Sequence, residues 1–273
     1  MIALVPSTSV RADLLLDAER PTSAALLVSV AARPGVEVHA ERLTLTGPGG
    51  PLPVQEVRLP DGTRLHEFEV PAGSTAVEYE ADVRVDGAAA SADLTAAERW
   101  EFARPSRFCP SDRFSHLAAR EFARFPRAEQ PRAVAAWVRM HTDYVSGSSG
   151  PSDSALETLV GGQGVCRDFA HLVVALLRAL DVPARVAAVY APGLSPMDFH
   201  AVAEAAPDGR WQVVDATGLA PRQSLVRIAS GRDTADTAFL TTAGPVTLTR
   251  LSVLAVTDGA LPSDDGSGLV RLA

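Results

Sequence analysis

Lysine is absent from this chain, so all 25 basic residues are arginine. That removes P-loop nucleotide chemistry, which needs a lysine after the glycine-rich turn, and lysine Schiff bases as well. Cysteine is nearly as scarce: Cys109 and Cys166 are the two thiols in 273 residues. Such a count excludes a disulfide framework and any multi-thiolate metal site, so no metal and no cofactor is expected. Long hydrophobic runs are missing too. No stretch approaches the roughly 18 uncharged apolar residues of a membrane helix, and no membrane partner is expected. The N-terminal stretch "MIALVPSTSVRADLLLDAERP" lacks a basic lead and a small-residue cleavage site, which makes a cytoplasmic location the expectation. There is no basic excess either. With 25 basic against 33 acidic residues the formal charge is −8, which argues against nucleic acid as a partner because phosphates would go unneutralised.

What remains is the composition of a soluble globular protein, 47% apolar and 21% charged, long enough for one large or two ordinary domains. From residue 22 to about 97 the chain reads as short alternating or β-branched runs, among them "VEVHAERLTLT" and "TAVEYEADVRV", punctuated by Gly, Pro or Asp-Gly. That spacing predicts an antiparallel, sandwich-like domain over 1–97. A composition shift places a linker near 87–110, and 98–273 form the second domain, with a C-terminal strand and tail. There the signals turn helical. Helices are expected over 112–125, stopped by Pro126, over 131–145, opened by Pro131, and over 152–162, opened by a Ser or Asp cap and closed by glycines. The clearest helix follows Cys166: Phe169, Leu172, Val173, Leu176, Leu177 and Leu180 fall on one helical stripe, and Pro183 ends it. Strand-like runs follow at 184–191, 199–205 and 210–217.

Cys166 sits where this helix starts, approached through Gly161, Gly162 and Gly164. Unpaired backbone N–H groups and the positive end of the helix dipole there favour thiolate over thiol. A lone cysteine beside an apolar helix also fits a small buried hydrophobe. The downstream hairpin favours the first alternative. Ala206-Pro207-Asp208-Gly209 suits a type I turn, and pairing Ala205 with Arg210 across it sets Val202 opposite Val213 and His200 opposite Asp215. Directly opposed side chains share a face. A thiol at a helix start and a carboxylate-oriented imidazole are the parts of nucleophilic acyl transfer, with Asp215 fixing the imidazole that holds the thiol's proton.

These stretches, "GVCRDFAHLVVALLRALDVPAR", "DFHAVAEAAPDGRWQVVDAT" and "GRDTADTAFLTTAG", resemble the bacterial transglutaminase-like family, a branch of the papain-like cysteine enzymes with Cys, His and Asp in that order. The resemblance covers roughly 108–245, and the β region before it is similar to a domain often attached to such proteins. It implies an α+β fold with the nucleophile helix packed on an antiparallel sheet, Cys166 as nucleophile, His200 as base and Asp215 as orienting acid. It also implies an oxyanion hole built on the Cys166 backbone N–H, for which Gln163 and Tyr144 are the side-chain candidates. The chain departs from many relatives in lacking an aromatic residue shortly after the histidine, reading His200-Ala201-Val202-Ala203-Glu204, which bears on substrate-site shape rather than on the triad.

Other polar residues read as structure. Arg167 and Asp168 suit a local charge pair in the first helical turn, and His171 points to a different helix face from Cys166, which makes no metal pair. "SGSSGPS" lacks the strand-to-helix setting of a serine nucleophile elbow, Cys109 reads as structural and "GRDTADTAF" as a solvated loop. The expected function is cysteine-dependent acyl transfer on a peptide, isopeptide or glutamine carboxamide amide of a peptide or protein partner. Hydrolysis is favoured over amine transfer because water needs no acceptor cleft. The alternative is a non-catalytic peptide- or protein-binding module on the same fold.

Overall fold

The structure, a computed structural model, describes residues 6–86 and 93–273. The first five residues of the N-terminal stretch and positions 87–92 of the expected linker lie outside the described residues. Seven strands come first: β1 (Ser7–Ala18), β2 (Thr22–Leu26), β3 (Val36–Gly47), β4 (Gly50–Pro51), β5 (Gln55–Arg58), β6 (Arg64–Val70) and β7 (Gly73–Val85). Then follow α1 (Ala96–Glu101), α2 (Ser115–Phe122), α3 (Gln130–His141), β8 (Asp143–Tyr144), α4 (Ala155–Gly161), β9 (Gln163–Gly164) and α5 (Cys166–Arg178). The chain closes with β10 (Ala184–Tyr190), β11 (His200–Ala205), β12 (Gln212–Val214), β13 (Val226–Gly231), α6 (Thr234–Thr237), β14 (Leu240–Thr242) and β15 (Thr247–Thr257). The fold is α+β, and among the described residues no helix is long and apolar enough to cross a membrane.

Two antiparallel sheets, ordered β15-β1-β7-β3-β4 and β14-β2-β6-β5, enclose the first core. Strict alternation drives this. Along β1, Val10, Ala12, Leu14 and Leu16 are buried while Ser9 and Arg11 face out, the period-two signature of a sheet with one wet face. The same period was readable in the sequence, yet β1 lies upstream of the residue-22 start expected for the β region.

One boundary is corrected. The C-terminal strand, expected in the second domain, is β15, and it pairs antiparallel with β1 from Thr8↔Thr257 to Asp17↔Thr247. Its Val253 and Ala255 bury into the first core, and β14 pairs with β2, so the chain returns to the N-terminal sheets before it ends. Pairing across more than 200 residues is set by three-dimensional proximity, which no local pattern encodes. The two sheet systems also share apolar contents: Tyr190, Val226 and Ile228 enter the N-terminal core, and the Tyr190 hydroxyl donates to the Val28 carbonyl at 2.7 Å.

The second core lies between α5 and the antiparallel sheet β12-β11-β10-β13. Burial runs around the whole helix from Asp168 to Arg178, beyond the single stripe expected, because α2, α3 and α4 cover the sides that the sheet leaves open. Each of Leu172, Leu176 and Leu177, fully sequestered, contributes roughly 1.5–3 kcal/mol by removal from water. At its C-terminus Arg178 is buried and bonds to the carbonyls of Ala184, Arg104 and Arg232, which offset part of the cost of hiding a guanidinium.

Candidate active site

Cys166 is the first residue of α5, and the glycines before it have separate jobs. Ser154 caps α4 in a reciprocal capping box with Glu157, and Gly162 ends that helix in the left-handed region at φ 62°. Gly164 is needed for space: a Cβ there would lie 2.6 Å from the Asp168 Cβ. The fully buried Asp168 carboxylate accepts from Val165 N, the N-cap donor of α5, at 2.8 Å and from the Ser149 hydroxyl at 2.5 Å. Arg167 reaches the Gly150 carbonyl and lies 3.4 Å from Asp168. Together these two residues, expected to be structural, fasten loop 145–150 to the start of the nucleophile helix. Cys166 itself is half-buried.

The hairpin carrying the other two residues differs from the register read from its turn. Observed pairs are Ala203↔Val214, Glu204↔Val213 and Ala205↔Gln212. The expected Ala205–Arg210 pairing is therefore corrected by two residues, as are Val202–Val213 and His200–Asp215. The reason is visible in the loop. Trp211 leaves the ladder to bury edge-on against Phe102, with ring centroids 5.5 Å apart, and Arg210 bridges to Asp93. A slip of two preserves which face each side chain occupies, so His200 and Asp215 remain on one face as diagonal neighbours. A slip of one would have separated them.

His200 Nε2 lies 3.6 Å from Asp215 Oδ2, both side chains almost fully buried. That is an ion-pair distance, one small side-chain adjustment from a hydrogen bond. With Nε2 facing the carboxylate, Nδ1 is the nitrogen available to the thiol. Burial alone would lower the His200 pKa, but the Asp215 carboxylate and the Cys166 sulfur against the ring outweigh it and raise it to about 10. Asp215 is placed by its own turn: Oδ1 accepts from Thr217 N and Oγ1, both at 2.7 Å. Burial opposes ionisation of this carboxyl, while His200 and the Thr217 donors bring its pKa below the usual carboxylate value. Arg139 on α3 donates to the Ala216 carbonyl at 2.9 Å and clamps the segment from outside, a tie no local sequence signal announced.

Tyr144 and Gln163 fare differently. The helix expected over 131–145 ends at His141, because Asp143 N bonds to the Gly162 carbonyl at 2.8 Å and Val145 N to the Gly164 carbonyl at 3.0 Å. β8 thus runs parallel beside β9, with Tyr144 opposite Gly164. The Tyr144 ring packs on Phe169, and its hydroxyl reaches Cys166; burial first, then the sulfur and Asp198, push its pKa up to about 12. Gln163 lies on β9 with its side chain exposed.

Cys109 and His171 are structural. Cys109 is fully buried, which pushes its pKa far up. His171 stacks on Phe108, accepts from Thr234 N at 3.2 Å and has its pKa lowered to about 4 by burial. "GRDTADTAF", expected as a solvated loop, instead holds α6, where the buried Asp233 caps the helix and accepts from Phe108 N at 2.9 Å. Among the described residues no three His, Cys, Asp or Glu side chains converge as metal ligands would.

A half-buried thiol at a helix N-terminus, facing a buried imidazole backed by a carboxylate on an adjoining antiparallel sheet, defines a papain-like class of arrangement. Comparison with known proteins gives the family. Residues 118–216 match the model of the transglutaminase-like superfamily. The crystal structure of a candidate cysteine protease from Cytophaga hutchinsonii superposes with a TM-score of 0.87 at 30% identity, covering 97% of this chain and 96% of that one. An uncharacterised Mycobacterium leprae protein is 30% identical over 132 residues, 43% of this chain and 46% of that protein, so the match spans about half the length of this curated relative. The chain belongs to the transglutaminase-like superfamily.

Proposed function

We propose that this chain is a cysteine-dependent enzyme acting on amide bonds of peptides or proteins through a thioester on Cys166. One observation supports the reading above others: residues 166, 200 and 215, far apart in the chain, meet with His200 between the thiol and a carboxylate 3.6 Å away. The elevated His200 pKa favours the imidazolium at neutral pH, and the proposed nucleophile is the thiolate that this cation stabilises. In that state the sulfur attacks the amide carbonyl carbon and the electron pair moves to oxygen. The Cys166 backbone N–H, a donor of the first helical turn, is the proposed main-chain contact for that oxyanion, and the Tyr144 hydroxyl, which lies against Cys166, is the proposed side-chain donor. Imidazolium gives its proton to the leaving nitrogen, and the carbon–nitrogen bond breaks. The neutral ring then takes a proton from the second nucleophile, which attacks the thioester and frees the thiol. Asp215 holds the ring orientation and stabilises its charged form throughout.

We favour water as the second nucleophile, because transfer requires an amine held against the thioester for long enough to outcompete solvent. Incubation with a glutamine-containing peptide and a primary amine separates the outcomes. Ammonia or peptide release without amine incorporation supports hydrolysis, and stoichiometric incorporation overturns that preference. Absence of any amide turnover, combined with ordinary thiol reactivity at Cys166, overturns the enzyme reading in favour of a binding module.

A further inference from the structure

We propose that Asp198 sets substrate specificity, its carboxylate receiving a cationic side chain, arginine or lysine, carried by the peptide next to the scissile amide. This rests on Cys166 being the nucleophile. Residues two apart in extended chain project to the same side, so Asp198 stands beside His200 at the entry to β11. Its position is fixed from two directions. Oδ1 accepts the Phe199 N–H at 2.7 Å, and the Phe199 ring packs against Tyr190 and Phe239 with centroids 5.6 and 5.1 Å away. The aromatic anchor therefore holds an exposed carboxylate in place two residues before His200. From there its charge reaches the Tyr144 hydroxyl and His200, the two groups that bracket Cys166.

Charge bookkeeping gives the sign of the ligand. The His200 imidazolium offsets one of the two negative charges it lies between, the thiolate and Asp215. On the flanking elements Arg139, bound to the Ala216 carbonyl, offsets the other, Arg167 pairs with the buried Asp168 at 3.4 Å, and the chain contains no lysine. Asp198 remains as a partly desolvated negative charge beside the reacting centre, and the positive charge that complements it comes from the substrate.

Charged thiol reagents test this without knowledge of the natural substrate. Modification of Cys166 by an ammonium-bearing methanethiosulfonate is expected to outpace that by its sulfonate-bearing counterpart by about threefold to tenfold. Asp198→Asn should bring the ratio close to one and Asp198→Lys should invert it, while the rate with neutral iodoacetamide stays within about twofold. Cys166→Ala provides the background. In peptide assays, an arginine neighbour should raise kcat/KM over a glutamate neighbour in the wild type but not in Asp198→Asn. A wild-type reagent ratio near one, or an unchanged ratio in Asp198→Asn, overturns the proposal. An effect of Asp198→Asn confined to use of a free amine acceptor also overturns it, because the cation would then belong to the acceptor. Iodoacetamide labelling no faster than that of an ordinary thiol would instead overturn the nucleophile assignment.

Discussion

Replacing Glu204 by glutamine probes how the strand that carries His200 is held. Glu204 is fully buried on β11 and accepts from Arg185 Nε at 2.8 Å, Arg227 Nη1 at 2.8 Å and Arg227 Nη2 at 2.7 Å, so it crosslinks β11, β10 and β13. Burial by itself would favour the protonated acid, yet the two guanidiniums bring its pKa far below the usual carboxylate range. Glutamine has the same shape but keeps a single acceptor oxygen, and its amide group confronts an arginine donor. Arg227 then loses the side-chain carboxylate it pairs with, and Arg185 keeps only Glu98, 3.5 Å away. Removing one partner of such a cluster costs about 3–5 kcal/mol, which urea titration at pH 7 should read as a lower midpoint at unchanged slope. The same substitution at Glu80, whose pair with Arg42 is solvent-exposed, should cost under about 1 kcal/mol. Because the folded-state pKa of Glu204 is depressed, its contribution is present above the unfolded value of 4.5 and is lost as pH falls below it. The gap between wild type and Glu204→Gln should therefore narrow on acidification. A cost below about 1 kcal/mol at pH 7, or a gap that widens in acid, would refute the role assigned to the cluster.

Leu176→Ala, which opens a cavity in the fully buried face of α5, should cost about 2–5 kcal/mol by denaturant titration. Cys166→Ala should keep a near-native melting temperature and lose amide turnover. Gly164→Ala should lower both stability and the rate of Cys166 alkylation, because its new methyl must displace the buried Asp168 that anchors the nucleophile turn; rates and melting temperature equal to wild type would contradict this. For His200 the sign runs opposite to that of Glu204. Its folded-state pKa is raised from 6.5 to about 10, so the stability it contributes is fully present below pH 6.5 and is lost as pH rises through 10. Melting temperatures of wild type and His200→Gln should converge across that window.

Local physics accounts for what could be read in advance. Apolar spacing and Pro183 delimit α5, and Ser154 with Gly162 delimit α4, because each signal and its consequence lie within a turn or two of helix. The hairpin was half legible. Its turn residues pointed to a tight connection, but the six residues between Ala205 and Gln212 are set by Trp211 seeking Phe102, a tertiary contact invisible to turn chemistry. His200 and Asp215 were matched to one another despite that error because side-chain facing depends on parity alone. Tyr144 leaving α3 for β8, Arg139 clamping Ala216 and β15 closing onto β1 all depend on distant partners, and the alternation in β1 was readable but falls outside the stretch read as strands.

The central claim is that His200 activates Cys166. Its most direct test is the rate of Cys166 alkylation by iodoacetamide at pH 7 in wild type and in His200→Ala, with the fully buried Cys109 as internal reference. The account predicts fast, single-site modification of the wild type that slows by at least about tenfold in the variant, since imidazolium stabilisation of the thiolate is gone. Equal rates in the two proteins would contradict it.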